Sequence, residues 1–160
     1  MKKFKLMVMV LCLLAACSNT PTNEEESNDY TPEKAEKNGN VVVIHKGESF
    51  DEIVQGNLEV KGIEKVKELL KSVEAKEEDS VTISIFEKNG NHYENKISYE
   101  KEKVKFENNY GGYKQSPKGT YSCGYISQRG PMVYLETCTS EDGEEVSTIL
   151  AFIATSEAFN

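Results

Sequence analysis

Four cysteines, two histidines and eight tyrosines carry most of the chemistry open to this 160-residue chain. A hydrolase needs a nucleophile poised beside an acid–base pair. No Gly-x-Ser-x-Gly elbow occurs, and Ser122, the serine nearest glycines, adjoins Cys123. His45 ends an apolar run of four residues. It could serve as a general base, but a hydrogen-bonded structural histidine is the commoner arrangement at such a position. His92 follows a turn and is read as exposed. Glu144 and Glu145 lie beside Asp142, yet their spacing is not that of a calcium loop, and a solvated hairpin tip accounts for them. No catalytic residue, metal ligand or cofactor is assigned. Tyrosine is the residue to single out. Six of the eight lie between Tyr99 and Tyr134, and tryptophan is absent. Tyrosine combines large contact area, low entropy cost and a polar tip, so it recurs in binding surfaces. The segment Tyr110-Gly111-Gly112-Tyr113-Lys114 joins two rings, two glycines and a cation in an acidic chain. Glycines there let a backbone approach closely. This is the candidate binding loop, and a mobile connector between two sheet halves is the competing reading. Tyr121, Tyr125 and Tyr134 are expected on the face that carries Cys123 and Cys138, where they would cover a disulfide.

The N-terminus bears on where such chemistry would happen. Met1-Lys2-Lys3 is basic, residues 6–16 are apolar, and Leu14-Ala15-Ala16 precedes Cys17. That order is the order of an export signal. The apolar run is too short for a transmembrane helix, which needs about 20 residues. Leu14-Ala15-Ala16-Cys17 resembles the lipobox of bacterial lipoproteins. The resemblance implies cleavage after residue 16 and attachment of a diacylglycerol to Cys17. Two long acyl chains anchor stably, at about 0.8 kcal/mol per buried methylene. The expected location is the extracytoplasmic face of the cell membrane. Loss of Lys2, Lys3 and Lys5 takes the formal charge from −8 to −11. So acidic a chain argues against nucleic acid, and against polybasic contact with anionic lipid. Arg129 is the only arginine against 18 lysines, a bias that fits an AT-rich, low-GC Gram-positive source.

Residues 17–39 hold no aliphatic side chain larger than alanine. They are read as a disordered tether spanning roughly 25 Å. Residues 40–156 are read as one domain. With Cys12 in the signal and Cys17 acylated, Cys123 and Cys138 remain, and an oxidising compartment pairs them. Both sit in strand-like runs around Arg129-Gly130-Pro131-Met132, and a hairpin with that loop sets Cys123 opposite Cys138. The bond would close a loop of about 15 residues, worth about 3 kcal/mol in the chain-entropy model.

These residues must be carried by a scaffold. Val41-Val42-Val43-Ile44 reads as a strand. Ile63, Val66, Leu69, Leu70 and Val73 recur at helical spacing, predicting a helix over 63–76. Strands follow around Val81–Phe86, Ile97–Tyr99 and Val104–Phe106. A three-residue loop, Asn89-Gly90-Asn91, is expected to set Ile83 opposite Ile97 and Val81 opposite Tyr99; Tyr99 then meets Val104, and Ile97 meets Phe106. The cysteine hairpin comes next, then residues 146–153, apolar enough for a strand covered on both faces. The expected fold is α+β: one amphipathic helix packed on an antiparallel sheet of about seven short strands.

NGNVVVIHKG at 38–47, the helix and strand up to Ile85, FENNYGGYKQSPKGTYSC up to Cys123, and Cys138 together resemble a family of bacillar lipoprotein domains of unknown function. Lys46 intrudes between His45 and Gly47, where the family start has none. Family members tend to carry Asp-Gly near Glu100-Lys101. The resemblance covers most of residues 38–153 and implies no enzymatic activity. The expected function is a non-catalytic binding or interaction module at the cell envelope, anchored through Cys17 and holding an envelope protein or peptide. A structural or stress-related lipoprotein without a ligand is the alternative. A cleft containing His45 and a carboxylate would revive a small hydrolase.

Overall fold

The computed structural model describes residues 30–159. The expected signal peptide, Cys17 and the first part of the expected tether lie outside the described residues. The end of that tether is ordered. Thr31 accepts a hydrogen bond from the Lys34 N–H and caps α1 (Pro32–Lys37), with proline in the first turn. Ala35 of α1 is buried. The folded unit therefore includes residues 30–39, which corrects the disordered reading of that stretch.

The expected fold class is also corrected. Eight strands form one curled, mixed sheet, a half-barrel, and three helices accompany it. The strands are β1 (Val41–His45), β2 (Leu58–Lys61), β3 (Asp79–Phe86), β4 (His92–Glu100), β5 (Lys103–Asn108), β6 (Gly119–Arg129), β7 (Met132–Ser140) and β8 (Glu145–Ile153). Their order is β2-β1-β3-β4-β5-β6-β7-β8. Helix α2 (Phe50–Val54) stands between β1 and β2, and α3 (Glu64–Ala75) between β2 and β3. The sheet is not wholly antiparallel, because β1 and β3 pair in parallel. Parallel neighbours need a long crossover, and α2, β2 and α3 supply it. β2, only four residues long, folds back antiparallel on the outer side of β1.

Each element follows from its side chains. Val41 and Val43 enter the main core, while Val42 meets Ala35 and Phe86 beneath α1. Both faces of β1 are thus covered, which explains its unbroken apolar run. α3 buries Val66 and Leu69 and lies where the helical spacing put it. β8 is an edge strand by order, yet residues 149–153 are all buried. The 109–118 loop covers it, with the Leu150 N–H donating to the Gln115 carbonyl at 3.2 Å.

The β4–β5 pairing is as expected, with Ile97 opposite Phe106 and Tyr99 opposite Val104. The β3–β4 register is not. Val81 faces Ile97, and Ile83 faces Asn95. The loop does have three residues, but they are Lys88-Asn89-Gly90, closed by Glu87 and Asn91. Gly90 has φ +91°, and in three-residue hairpins the left-handed position comes last. Placing Gly90 in the middle shifts the register by two, which leaves the buried face unchanged.

β6 and β7 pair with Cys123 opposite Cys138, and the two are disulfide-bonded. The hairpin is tighter than expected, since Arg129 pairs with Met132 across Gly130-Pro131. Tyr121 is buried, Tyr134 is half-buried under Arg129, and Tyr125 is 67% exposed. The three rings therefore do not share one face. The buried positions change from Cys123 and Cys138 to Val133 and Leu135 along an unshifted register. The change coincides with Thr137, whose φ is +55°, opposite Gly124.

Candidate functional site

The C-terminal end of β1 delivers His45 into the interior, 3% exposed. The 109–118 loop, which joins β5 to β6, reaches it from the same strand end, since β1 and β5 run in the same direction. Two buried asparagines shape that loop. The Asn95 Oδ1 accepts the backbone N–H groups of Asn109 at 2.8 Å and Tyr110 at 3.2 Å. The Asn108 amide donates to the carbonyls of Ser116 at 3.1 Å and Pro117 at 2.8 Å, drawing the loop's two ends together. Such bonds replace the ladder the loop lacks, and few buried polar groups go unpaired.

The loop turns its rings inward. Tyr110 and Tyr113 are 3% and 4% exposed, with centroids 4.9 Å apart at 81°. Each ring lies against His45, at 5.5 Å and 5.6 Å. A Cβ on Gly112 would overlap the Tyr110 hydroxyl and ring, so this glycine does permit a close approach, by the protein's own tyrosine. The expected picture of two exposed rings flanking a partner is corrected. Lys114 and Gly111 of the same segment are exposed.

The hydrogen bonds run one way. The Tyr110 hydroxyl donates to Glu87 Oε1 at 3.3 Å, which leaves its oxygen free to accept. His45 Nδ1 lies 3.4 Å from that oxygen and Nε2 lies 3.1 Å from the Tyr113 hydroxyl. A neutral imidazole has one donor and one acceptor nitrogen. The consistent assignment is Tyr113 O–H to Nε2, Nδ1–H to Tyr110 Oη, and Tyr110 O–H to Glu87. Burial pushes the His45 imidazole down to about 4, against a smaller upward pull from Glu87. Burial drives both tyrosine hydroxyls well above their usual range, with Glu87 adding to the effect at Tyr110. At neutral pH all three groups are uncharged.

A cleft of about 250 Å³ opens above this chain. Gly47, Glu48, Phe50 and Ile53 line one wall, and Glu87, Asn89, Tyr110 and Gly112 the other. α2 is held over it by a capping box between Ser49 and Glu52. Two ion pairs clasp the rim, Lys88 with Glu48 at 2.7 Å and Lys114 with Asp51 at 2.8 Å. The Lys114 ammonium also lies 5.0 Å from the Phe50 ring centroid.

Of the sequence-predicted residues, the structure brings Tyr110, Gly112 and Tyr113 together around His45, with Lys114 on the rim. Cys123 and Cys138 are buried on β6 and β7 and do not line the cleft. His92 is half-buried rather than exposed, its ring 4.5 Å from Tyr30 and 4.7 Å from Phe86. Among the described residues no group of three or more histidine, cysteine or acidic side chains could hold a metal ion. Sequence reasoning missed Glu87, Asn95 and Asn108. Only the adjacent Asn108-Asn109 before Gly111 hinted at a bonded loop rather than a mobile one.

No protein-family model, curated protein or solved structure matches this chain.

Proposed function

We propose that the protein is a lipid-anchored, extracytoplasmic module that binds a partner at the cell envelope and performs no catalysis, as the resemblance to the bacillar lipoprotein domains implies. The observation that carries the binding reading is the His45 cleft, an open concavity with an aromatic floor and one half-buried carboxylate. Its lining is more polar than apolar, and convergent polar groups such as Tyr110 and Glu87 are what fix a ligand's orientation in a binding site. The lipobox-like Leu14-Ala15-Ala16-Cys17 supports the anchor. Among the described residues no helix is long and apolar enough to cross a membrane.

The cleft meets the condition that favours a hydrolase, since His45 and Glu87 both border it. The chemistry opposes that reading. Both His45 nitrogens are engaged by hydroxyls, and its basicity is far below that of a base working near pH 7. Among the described residues no serine, threonine or cysteine lines the cleft.

Photo-crosslinking on intact cells, with a reactive group at the rim position Asn89, tests the reading. Wild-type protein should capture a defined envelope component. Glu48→Trp, which fills the mouth from an exposed position, should abolish that capture while the fold persists. Equal capture by both proteins overturns the binding role of the cleft. Mass spectrometry of the mature N-terminus should find diacylated Cys17, and an unmodified terminus elsewhere refutes the anchor.

A further inference from the structure

Glu87 is a half-buried carboxylate to which no cation among the described residues is paired. Its Oε1 accepts the Tyr110 hydroxyl, and its Oε2 accepts the amides of Asn89 at 3.3 Å and Asn91 at 3.1 Å. All three donors are neutral. Lys88, the next residue, points away to Glu48. Among the described residues no lysine or arginine pairs with Glu87; the nearby rim cations are committed to Glu48 and Asp51. Carboxylates withdrawn from water are ordinarily paired. Behind Glu87, the chain from Tyr113 through His45 to Tyr110 aligns three bond dipoles with their positive ends toward it. Such a chain strengthens cooperatively and needs no rearrangement when a ligand arrives.

We infer that Glu87 is the recognition point for a primary alkylammonium group, such as the end of a lysine side chain, entering the cleft between α2 and the 109–114 segment. This deepens the binding reading above and rests on it. The ammonium would meet Glu87 Oε1 and the face of Tyr110, and its methylene stem would lie along Phe50 and Ile53. Lys114, placed over Phe50 on the rim, shows the wall accommodating such a group. The cleft volume suits one side chain rather than a larger ligand. A metal ion fits worse. Calcium takes six to eight oxygens, whereas Glu48 is spent on Lys88, the Asn89 side-chain oxygen accepts the Asn91 N–H, and among the described residues Glu87 is the one other carboxylate in the lining.

The test uses the full lipidated chain in detergent micelles, with n-butylammonium as probe and n-butanol as its uncharged counterpart. Backbone amide shifts of Gly47 and Gly112 report occupancy. Saturable shifts are expected with n-butylammonium and none with n-butanol. Glu87→Gln keeps the side-chain shape and one of its two acceptor oxygens while removing the charge, and should weaken the amine at least tenfold. Glu48→Gln, whose charge faces Lys88, should weaken it less than threefold. Equal response to the two probes, undiminished binding by Glu87→Gln, or displacement of the amine by millimolar calcium overturns the inference. The two-probe comparison on wild-type protein stands even if Glu87→Gln fails to fold. Failure of n-butylammonium with envelope capture still blocked by Glu48→Trp removes only the ammonium assignment. Amine binding with capture indifferent to Glu48→Trp removes only the envelope role.

Discussion

His45 is the residue on which the site turns, and its burial has a consequence for stability. Tyr110, Tyr113 and Glu87 are the titratable groups facing it. In the unfolded chain an imidazole protonates near pH 6.5, and in the folded protein not until about 4. Between those values the unfolded chain binds more protons, so stability must fall as pH drops through that window. His45 contributes nothing to pH dependence above it. The full loss is about 3 kcal/mol by linkage. His92 is also shifted down by burial and acts in the same direction, so histidine-resolved NMR titration must accompany urea unfolding at pH 7 and pH 4. Equal stability at both pH values would contradict the buried neutral ring. The hydrogen-bond chain makes a second demand. Tyr113→Phe keeps the ring packing but leaves the Nε2 of a buried imidazole without its donor. A cost of about 1–3 kcal/mol is expected, read as a lowered urea midpoint. No change would mean that Nε2 finds another partner and that the one-way assignment is wrong.

At the scale of elements, turn chemistry decided more than hydrophobic pattern did. Alternation identified the inward face of β3, β4 and β5, and it survived a register shift of two. The register itself was legible in Gly90 once the left-handed position is placed last in the loop. Helices α1 and α2 have six and five residues, too few for a period to show. Their caps were nevertheless written in the chain, as Thr31-Pro32 and as Ser49 with Glu52 three residues on. β2 alternates Leu58 and Val60 with Glu59 and Lys61, a strand signal only four residues long, and without it the parallel pairing of β1 and β3 could not be seen. The β4–β5 turn carries its own prediction. Lys101 and Glu102 both adopt positive φ, +51° and +60°, the geometry of a type I′ turn that favours asparagine and glycine. Glu102→Gly should stabilise the protein by about 1 kcal/mol through relief of left-handed strain. It sacrifices only the exposed pair with Lys76, and such pairs are worth little. A raised melting temperature is the expected readout, and a fall would show that the turn is held by more than its backbone preference.

The whole molecule shows why the site was only half legible. The candidate loop was found by composition, but its meaning depended on which way two tyrosines face. Asn95, 15 residues upstream of Tyr110, and His45, 65 residues upstream, settle that together. Contacts of such range leave no local mark. The same holds for the domain's edge. Residues 30–39 look too polar to fold because their one buried aliphatic side chain is Ala35. They are ordered by what they cover. Tyr30 lies beside Phe86 and His92, its hydroxyl accepts the amides of Asn38 and Asn40 at 3.2 Å, and α1 closes over Val42. A chain beginning at residue 40 would leave Val42 and Phe86 open to water. Exposing two such side chains should cost about 3 kcal/mol, compared with a chain beginning at residue 30. Urea unfolding of the two chains, with the Cys123–Cys138 bond intact in both, measures the difference. Matching midpoints would mean that α1 only decorates the sheet. A midpoint lowered to that extent instead makes α1 part of the folded unit, with Tyr30 beside Lys88 and Glu87 at the flank of the cleft.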